Sequence, residues 1–221
     1  DDKGKPWLWT KQFEHTTQWL LAFLRMQGEG PITRIFRRDA FLNRGKKLRV
    51  TTDACPTGMG AYLTIDGIII AWFAIPVTSM DRELLGLALG SDSQQACEAL
   101  AALIALRIWF KFWASERVRL HVRTDNVTTM SLLARLKVSG KALRIIAKEL
   151  ALLLASASFE PDVVGHTPGV QNQLADYLSR RFETPNWTIP EPLATIDEVI
   201  PPERNQSWWL SLGPPRMTSP S

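Results

Sequence analysis

Residues 96–106 read Ala-Cys-Glu-Ala-Leu-Ala-Ala-Leu-Ile-Ala-Leu, a helical run that is apolar nearly all round and interrupted by one carboxylate, Glu98. A helix without a polar face must be covered on most sides, and its alanines allow close packing on a sheet. The chain therefore needs a layered core. With 221 residues, 45% hydrophobic and 22% charged, it can build one, and wholesale disorder, collagen and coiled-coil architectures are excluded. Glu98 also poses a chemical problem, because a buried carboxylate is costly unless it is paired or metal-bound. Arg107, on the same predicted helix, is more than two turns away and cannot neutralise it locally.

The patterning around this helix predicts an α/β fold. Leu48 to Cys55, Gly60 to Ile65 and Ile68 to Ile75 read as three antiparallel strands, with turns at Pro56-Thr57-Gly58 and Asp66-Gly67. After a loop rich in Gly and Ser come a helix from Gln94 to Trp113, a strand from Val118 to Thr124, and helices from Val127 to Leu136 and Lys141 to Ala157. A fifth strand, Phe159 to Val164, a loop at 165–169 and a short helix, Gln171 to Arg181, complete the order βββαβααβα. This is a mixed five-stranded sheet flanked by helices.

Three segments follow: a basic connecting segment at 1–47 with one helix over residues 10–27, the α/β domain at 48–182, and a tail at 183–221. The tail concentrates proline and carries Trp187, Trp208 and Trp209, which are costly to leave in water, so part of it packs on the domain or on a neighbour. The longest apolar stretches, Ala99 to Ile108 and Leu150 to Ala157, fall short of the roughly 20 residues that cross a bilayer, so no membrane is expected. No secretion signal opens the sequence, and the two cysteines, Cys55 and Cys97, fit a reducing, intracellular compartment, cytoplasmic or nuclear.

Glu98 has companions. Asp53 closes the first strand where a central strand normally buries an apolar side chain, Asp125 follows the fourth strand, and Asp176 lies between Leu174 and Leu178 in the last helix. Each aspartate of the latter pair has a structural role open to it: Asp125 can cap the helix beginning near Val127, and Asp176 can pair with Arg180 at i, i+4. If the first and fourth strands are neighbours, however, all four acids meet. Such a cluster repels itself unless hard divalent cations occupy it, and oxygen ligands favour Mg²⁺ or Mn²⁺ over zinc.

Thr52-Asp53-Ala54-Cys55-Pro56-Thr57-Gly58-Met59-Gly60 resembles the first-strand hairpin of ribonuclease H, Glu98 matches its helix glutamate, and Thr124-Asp125-Asn126 its third motif. The segment from His166 to Arg180, with His166-Thr167-Pro168-Gly169 and Ala175-Asp176-Tyr177-Leu178-Ser179-Arg180, is similar to the ending of ribonuclease H domains in retroelement and pararetrovirus polymerases. Together these motifs span about residues 48 to 181. The stretch from Pro76 to Ser93 is longer than a minimal family member needs.

The resemblance implies hydrolysis of the RNA strand of RNA/DNA hybrids with two Mg²⁺ ions, or Mn²⁺ in their place, held by Asp53, Glu98, Asp125 and Asp176. It implies that His166 helps to protonate or release the product, that Gly58 and Gly60 let the backbone approach the RNA strand, and that Asn126 contacts the minor groove. It also implies a reverse transcriptase portion of the same polyprotein as partner. A catalytically idle module that binds hybrid or scaffolds a polymerase is the alternative, against which the complete acid set argues.

No basic helical protrusion like that of cellular members is evident. Lys141, Arg144 and Lys148, on one helix face, are candidates to replace it or else a solvated stripe. Residues 1–49 carry eleven Lys and Arg against five Asp and Glu, an excess that suits a polyanion or a solvated linker.

Overall fold

The computed structural model describes residues 10–27, 46–87, 91–113, 119–136, 138–156, 161–162 and 172–212. In chain order the elements are α1 (Thr10–Gln27), β1 (Lys47–Ala54), β2 (Gly58–Ile65), β3 (Ile68–Pro76), α2 (Ser79–Leu85), α3 (Ser91–Ile108), β4 (Arg119–Arg123), α4 (Val127–Arg135), α5 (Lys141–Ser156), β5 (Pro161–Asp162) and α6 (Gln173–Ser179). The strands form one five-stranded sheet in the order β3-β2-β1-β4-β5. β1, β2 and β3 pair antiparallel, whereas β4 runs parallel to both β1 and β5. This is the mixed, helix-flanked five-stranded sheet that the sequence predicts.

Turn chemistry fixes the first half of the sheet. Asp66 and Gly67 both adopt positive φ, 50° and 90°, which suits the two-residue hairpin joining β2 to β3, and the Asp66 carboxylate accepts from the Lys47 amide. Strand alternation then divides the layers. Leu48, Val50, Met59, Ala61, Leu63, Ala71 and Phe73 enter the main core with α3, α4 and α5, while Trp72 and Ala74 join Leu178 and Leu193 on the opposite face. α3 is buried along its length from Ala96 to Leu106, as its composition demands.

Two features exceed the sequence expectation. The stretch after β3 contains a helix, α2, started by a capping box in which Thr78 and Asp81 each accept from the other's backbone amide, and ended by Gly86 in the left-handed conformation. Residues 183–212, expected as a tail, wrap the domain. Leu193 lies on the α6 face, Trp72 forms a parallel bridge with Glu198, and Val199 donates to the Trp72 carbonyl at 2.8 Å, covering the β3 edge. Trp209 then lies in the main core at 1% exposure. α1 docks on α5, with Trp19 Nε1 donating to the Lys148 carbonyl at 3.1 Å. Among the described residues no helix is long and apolar enough to cross a membrane.

Candidate metal centre

Register places the acids. Thr51 of β1 stands opposite Arg123 of β4 in a parallel ladder, so Asp53 and Asp125, two residues further along each chain, emerge at the same end of adjacent strands. α3 crosses this end and delivers Glu98. One carboxylate oxygen from each of Asp53, Glu98 and Asp125 lies within 4.8 Å of the other two. Asp53 and Glu98 are buried, at 5% and 3% exposure, and Asp125 is half-buried.

Few protein groups compensate this charge. Asp53 accepts from Ser179 Oγ at 2.6 Å and from Asn172 Nδ2 at 3.4 Å. Glu98 Oε1 accepts from Gln94 Nε2 at 3.3 Å, and the same amide nitrogen bonds the Ala54 carbonyl. Among the described residues, Glu98 Oε2 is buried and finds no hydrogen-bond partner. Burial, with smaller contributions from Asp125 and Asp176, pushes the Asp53 carboxyl up to about 6. Burial, followed by the facing charges of Asp53 and Asp125, pushes Glu98 up to about 9. A carboxylate cluster that, among the described residues, has an orphaned buried oxygen and no ion-paired cation fits a hard divalent ion coordinated by oxygen.

Asp176 stands apart from the three. Its Oδ1 accepts from Arg180 Nε at 2.7 Å, its side chain is 44% exposed, and this pair holds the guanidinium of Arg180 in its charged form. It remains close enough to add to the negative field at Asp53. His166 lies outside the described residues, as do Arg34, Arg37, Arg38 and Arg44 of the basic segment.

Gly58 and Gly60 have a structural role as well. Both are buried under α6: a Cβ on Gly58 would meet the Ser179 carbonyl oxygen at 2.2 Å, and one on Gly60 would meet Leu178 Cβ at 2.5 Å and the Ser179 amide nitrogen at 2.6 Å. Their missing side chains admit the helix. Asn126 is the N-cap of α4, its Oδ1 accepting from the Thr129 amide at 2.9 Å, so the cap falls to it and not to Asp125. On α5, Lys141 and Arg144 are exposed and Lys148 is half-buried near α1.

Sequence reasoning overlooked Ser179 and Asn172 as partners of Asp53, although both lie inside the segment that carries the family resemblance. It also overlooked Asp81 and Glu149, both fully buried. Asp81 had a signal in the Thr78-x-x-Asp81 spacing. Glu149 had one in its position between Ile146 and Leu150 on an amphipathic helix.

No family model matches the chain, and no curated protein matches it in sequence. Among solved structures it is similar to ribonuclease H1 from the halophilic archaeon Halobacterium salinarum, with 18% identity over 60% of this chain and 93% of that one and a TM-score of 0.44. It is also similar to the N-terminal ribonuclease H domain of a Mycobacterium tuberculosis protein solved as a fusion with maltose-binding protein. There the identity is 19% over 60% and 95% of the two chains, with a TM-score of 0.44.

Proposed function

We propose that this chain hydrolyses the RNA strand of RNA/DNA hybrids with two divalent cations, Mg²⁺ or Mn²⁺, as the ribonuclease H portion of a retroelement polyprotein whose reverse transcriptase is its partner. The observation that carries this reading is the convergence of Asp53, Glu98 and Asp125 within 4.8 Å, none of them ion-paired with a cation among the described residues. The motif resemblance, above all from His166 to Arg180, supplies the substrate class.

Asp53, Glu98 and Asp125 would hold the ions, joined from the rim by Asp176 once it leaves Arg180. Divalent cations at such a cluster lower the pKa of an attacking water and stabilise a leaving 3′-oxygen. The protein holds Asp53 in place through Ser179 and Asn172, and Glu98 through Gln94, so these carboxylates need not reorganise when the ligand arrives. His166 would handle the proton at the leaving oxygen, since imidazole changes charge near neutral pH.

The test is a cleavage assay on RNA/DNA hybrid, duplex RNA and duplex DNA. We expect the hybrid alone to be cut, with Mg²⁺ or Mn²⁺ and not in EDTA, leaving 5′-phosphate and 3′-hydroxyl ends. Full activity in chelator, or cyclic phosphate products, would contradict the reading.

A further inference from the structure

The role of Ser179 follows from three contacts that converge on it. Its hydroxyl is fully buried and lies 2.6 Å from Asp53 Oδ2 and 2.9 Å from the Asp176 carbonyl oxygen. A serine hydroxyl has one proton, and the shorter, charge-assisted contact with the carboxylate is the stronger claim on it. The Ser179 backbone is clamped as well. Its carbonyl accepts from Cys55 Sγ at 3.2 Å, and its amide and carbonyl lie where Gly60 and Gly58 would otherwise carry side chains.

We propose that Ser179 is the positioning residue that sets the Asp53 carboxylate for metal binding, and that Gly58 and Gly60 are glycines because any side chain there would lift Ser179 out of reach. The proposal deepens the metal reading of the site and rests on it. Among the described residues Asp53 is otherwise held by the longer contact from Asn172 Nδ2, which also donates to the Thr52 carbonyl at 3.2 Å. Without the Ser179 hydroxyl, the Asp53 side chain gains freedom to turn away from Glu98 and Asp125. Hydrogen bonds that orient a ligating carboxylate raise metal affinity without touching the metal.

The same geometry gives α6 two tasks. It brings Asp176 to the rim of the cluster through its first turn, and through its last residue it fixes the acid on β1. Helix docking and ligand orientation are therefore one event, controlled by the β1–β2 hairpin.

The experiment is Mn²⁺ binding, followed through the paramagnetic resonance of the free ion, for the parent protein, Ser179→Ala, Ser179→Cys and Asp53→Asn. Thermal melts in EDTA accompany it. Ser179→Ala should bind Mn²⁺ about tenfold more weakly than the parent while melting within a few degrees of it in EDTA. Ser179→Cys, with similar volume and a weaker donor, should fall between them, and it stands alone as the test if the alanine variant does not fold. The Mg²⁺ concentration that half-saturates cleavage should rise in parallel, with most activity restored at saturating Mg²⁺. Gly60→Ala should weaken Mn²⁺ binding in the same direction.

Unchanged Mn²⁺ affinity in Ser179→Ala, beside lost affinity in Asp53→Asn, would overturn the positioning role and leave the metal site standing. Absence of Mn²⁺ binding in the parent would instead overturn the metal site itself, and the role of Ser179 with it.

Discussion

Among the described residues four carboxylates are buried, and they are treated in opposite ways. Asp81 accepts from Arg204 through both oxygens, at 2.8 and 2.7 Å, and from the Thr78 amide and hydroxyl. Glu149 pairs with Arg107 and accepts from the backbone amides of Leu210 and Ser211 at 3.2 and 2.6 Å. Among the described residues, Asp53 and Glu98 by contrast accept only from neutral donors, and one Glu98 oxygen has none. The first pair receives its positive charge and most of its donors from within the chain, so those carboxylates act as anchors for residues 204–212. The second pair is held in shape and left short of positive charge, which is what a site for an external cation requires.

Removing the C-terminal segment is the strongest way to break this contrast. A chain ending at Glu203 loses Arg204, the donors to Glu149 and the core residue Trp209. Stranding a buried charge costs about 3–5 kcal/mol and losing a core Trp a similar amount, against a typical domain stability of about 5–15 kcal/mol. We expect this truncation to abolish the cooperative urea transition, whereas Asp53→Asn should retain it. A cooperative transition of normal midpoint in the truncated chain would return residues 204–221 to the status of a dispensable tail.

A smaller cut isolates one anchor. Arg204→Met should lower stability by about 3–5 kcal/mol by urea denaturation, because Asp81 is left buried without its cation. Adding Asp81→Asn, which removes the charge and keeps the cap, should recover most of the loss. An additive double mutant would show that the two residues are not coupled.

The pH dependence of the metal-free protein sharpens the other half. Asp53 and Glu98 bind their protons more tightly folded than unfolded, at about 6 and about 9 against ordinary values of 3.8 and 4.5. The unfolded state therefore holds fewer protons between these limits, and stability falls as pH rises. The contribution is fully present below about pH 4, is lost through pH 6 for Asp53 and continues to fall toward pH 9 for Glu98. Urea midpoints in EDTA should show this decline in the parent and a shallower one in Glu98→Gln.

The contrast also marks what could be read from sequence. Glu98 was legible because it breaks an apolar run on its own helix, and Asp53 because it closes a strand at a position that normally buries an apolar side chain; both are local signals. The strands were legible to within a few residues because Pro56, Gly58, Asp66 and Gly67 punctuate them, although β5 is described only at Pro161 and Asp162 where Phe159 to Val164 was expected. Helix α2 was missed because at seven residues it is too short to show a period, although Thr78 and Asp81 carried its cap. The anchors were illegible for a different reason. Arg204 is 123 residues from Asp81, and Ser211 is 62 from Glu149, and a proline-rich segment has no period from which such pairings can be inferred. Gly58 and Gly60 were legible as sites of close approach, but sequence could not say that the approaching partner is α6.

The most direct measurement compares thermal melts of the parent and Glu98→Gln at pH 8, each in EDTA and in Mg²⁺. In EDTA the mutant should melt higher, by a few degrees, because it removes a buried carboxyl that the fold does not compensate. In Mg²⁺ the order should reverse, since the ion stabilises only the chain that keeps its ligand set. If the parent melts identically in both conditions and Glu98→Gln melts below it in each, the carboxylates are structural and the cluster is not a metal site.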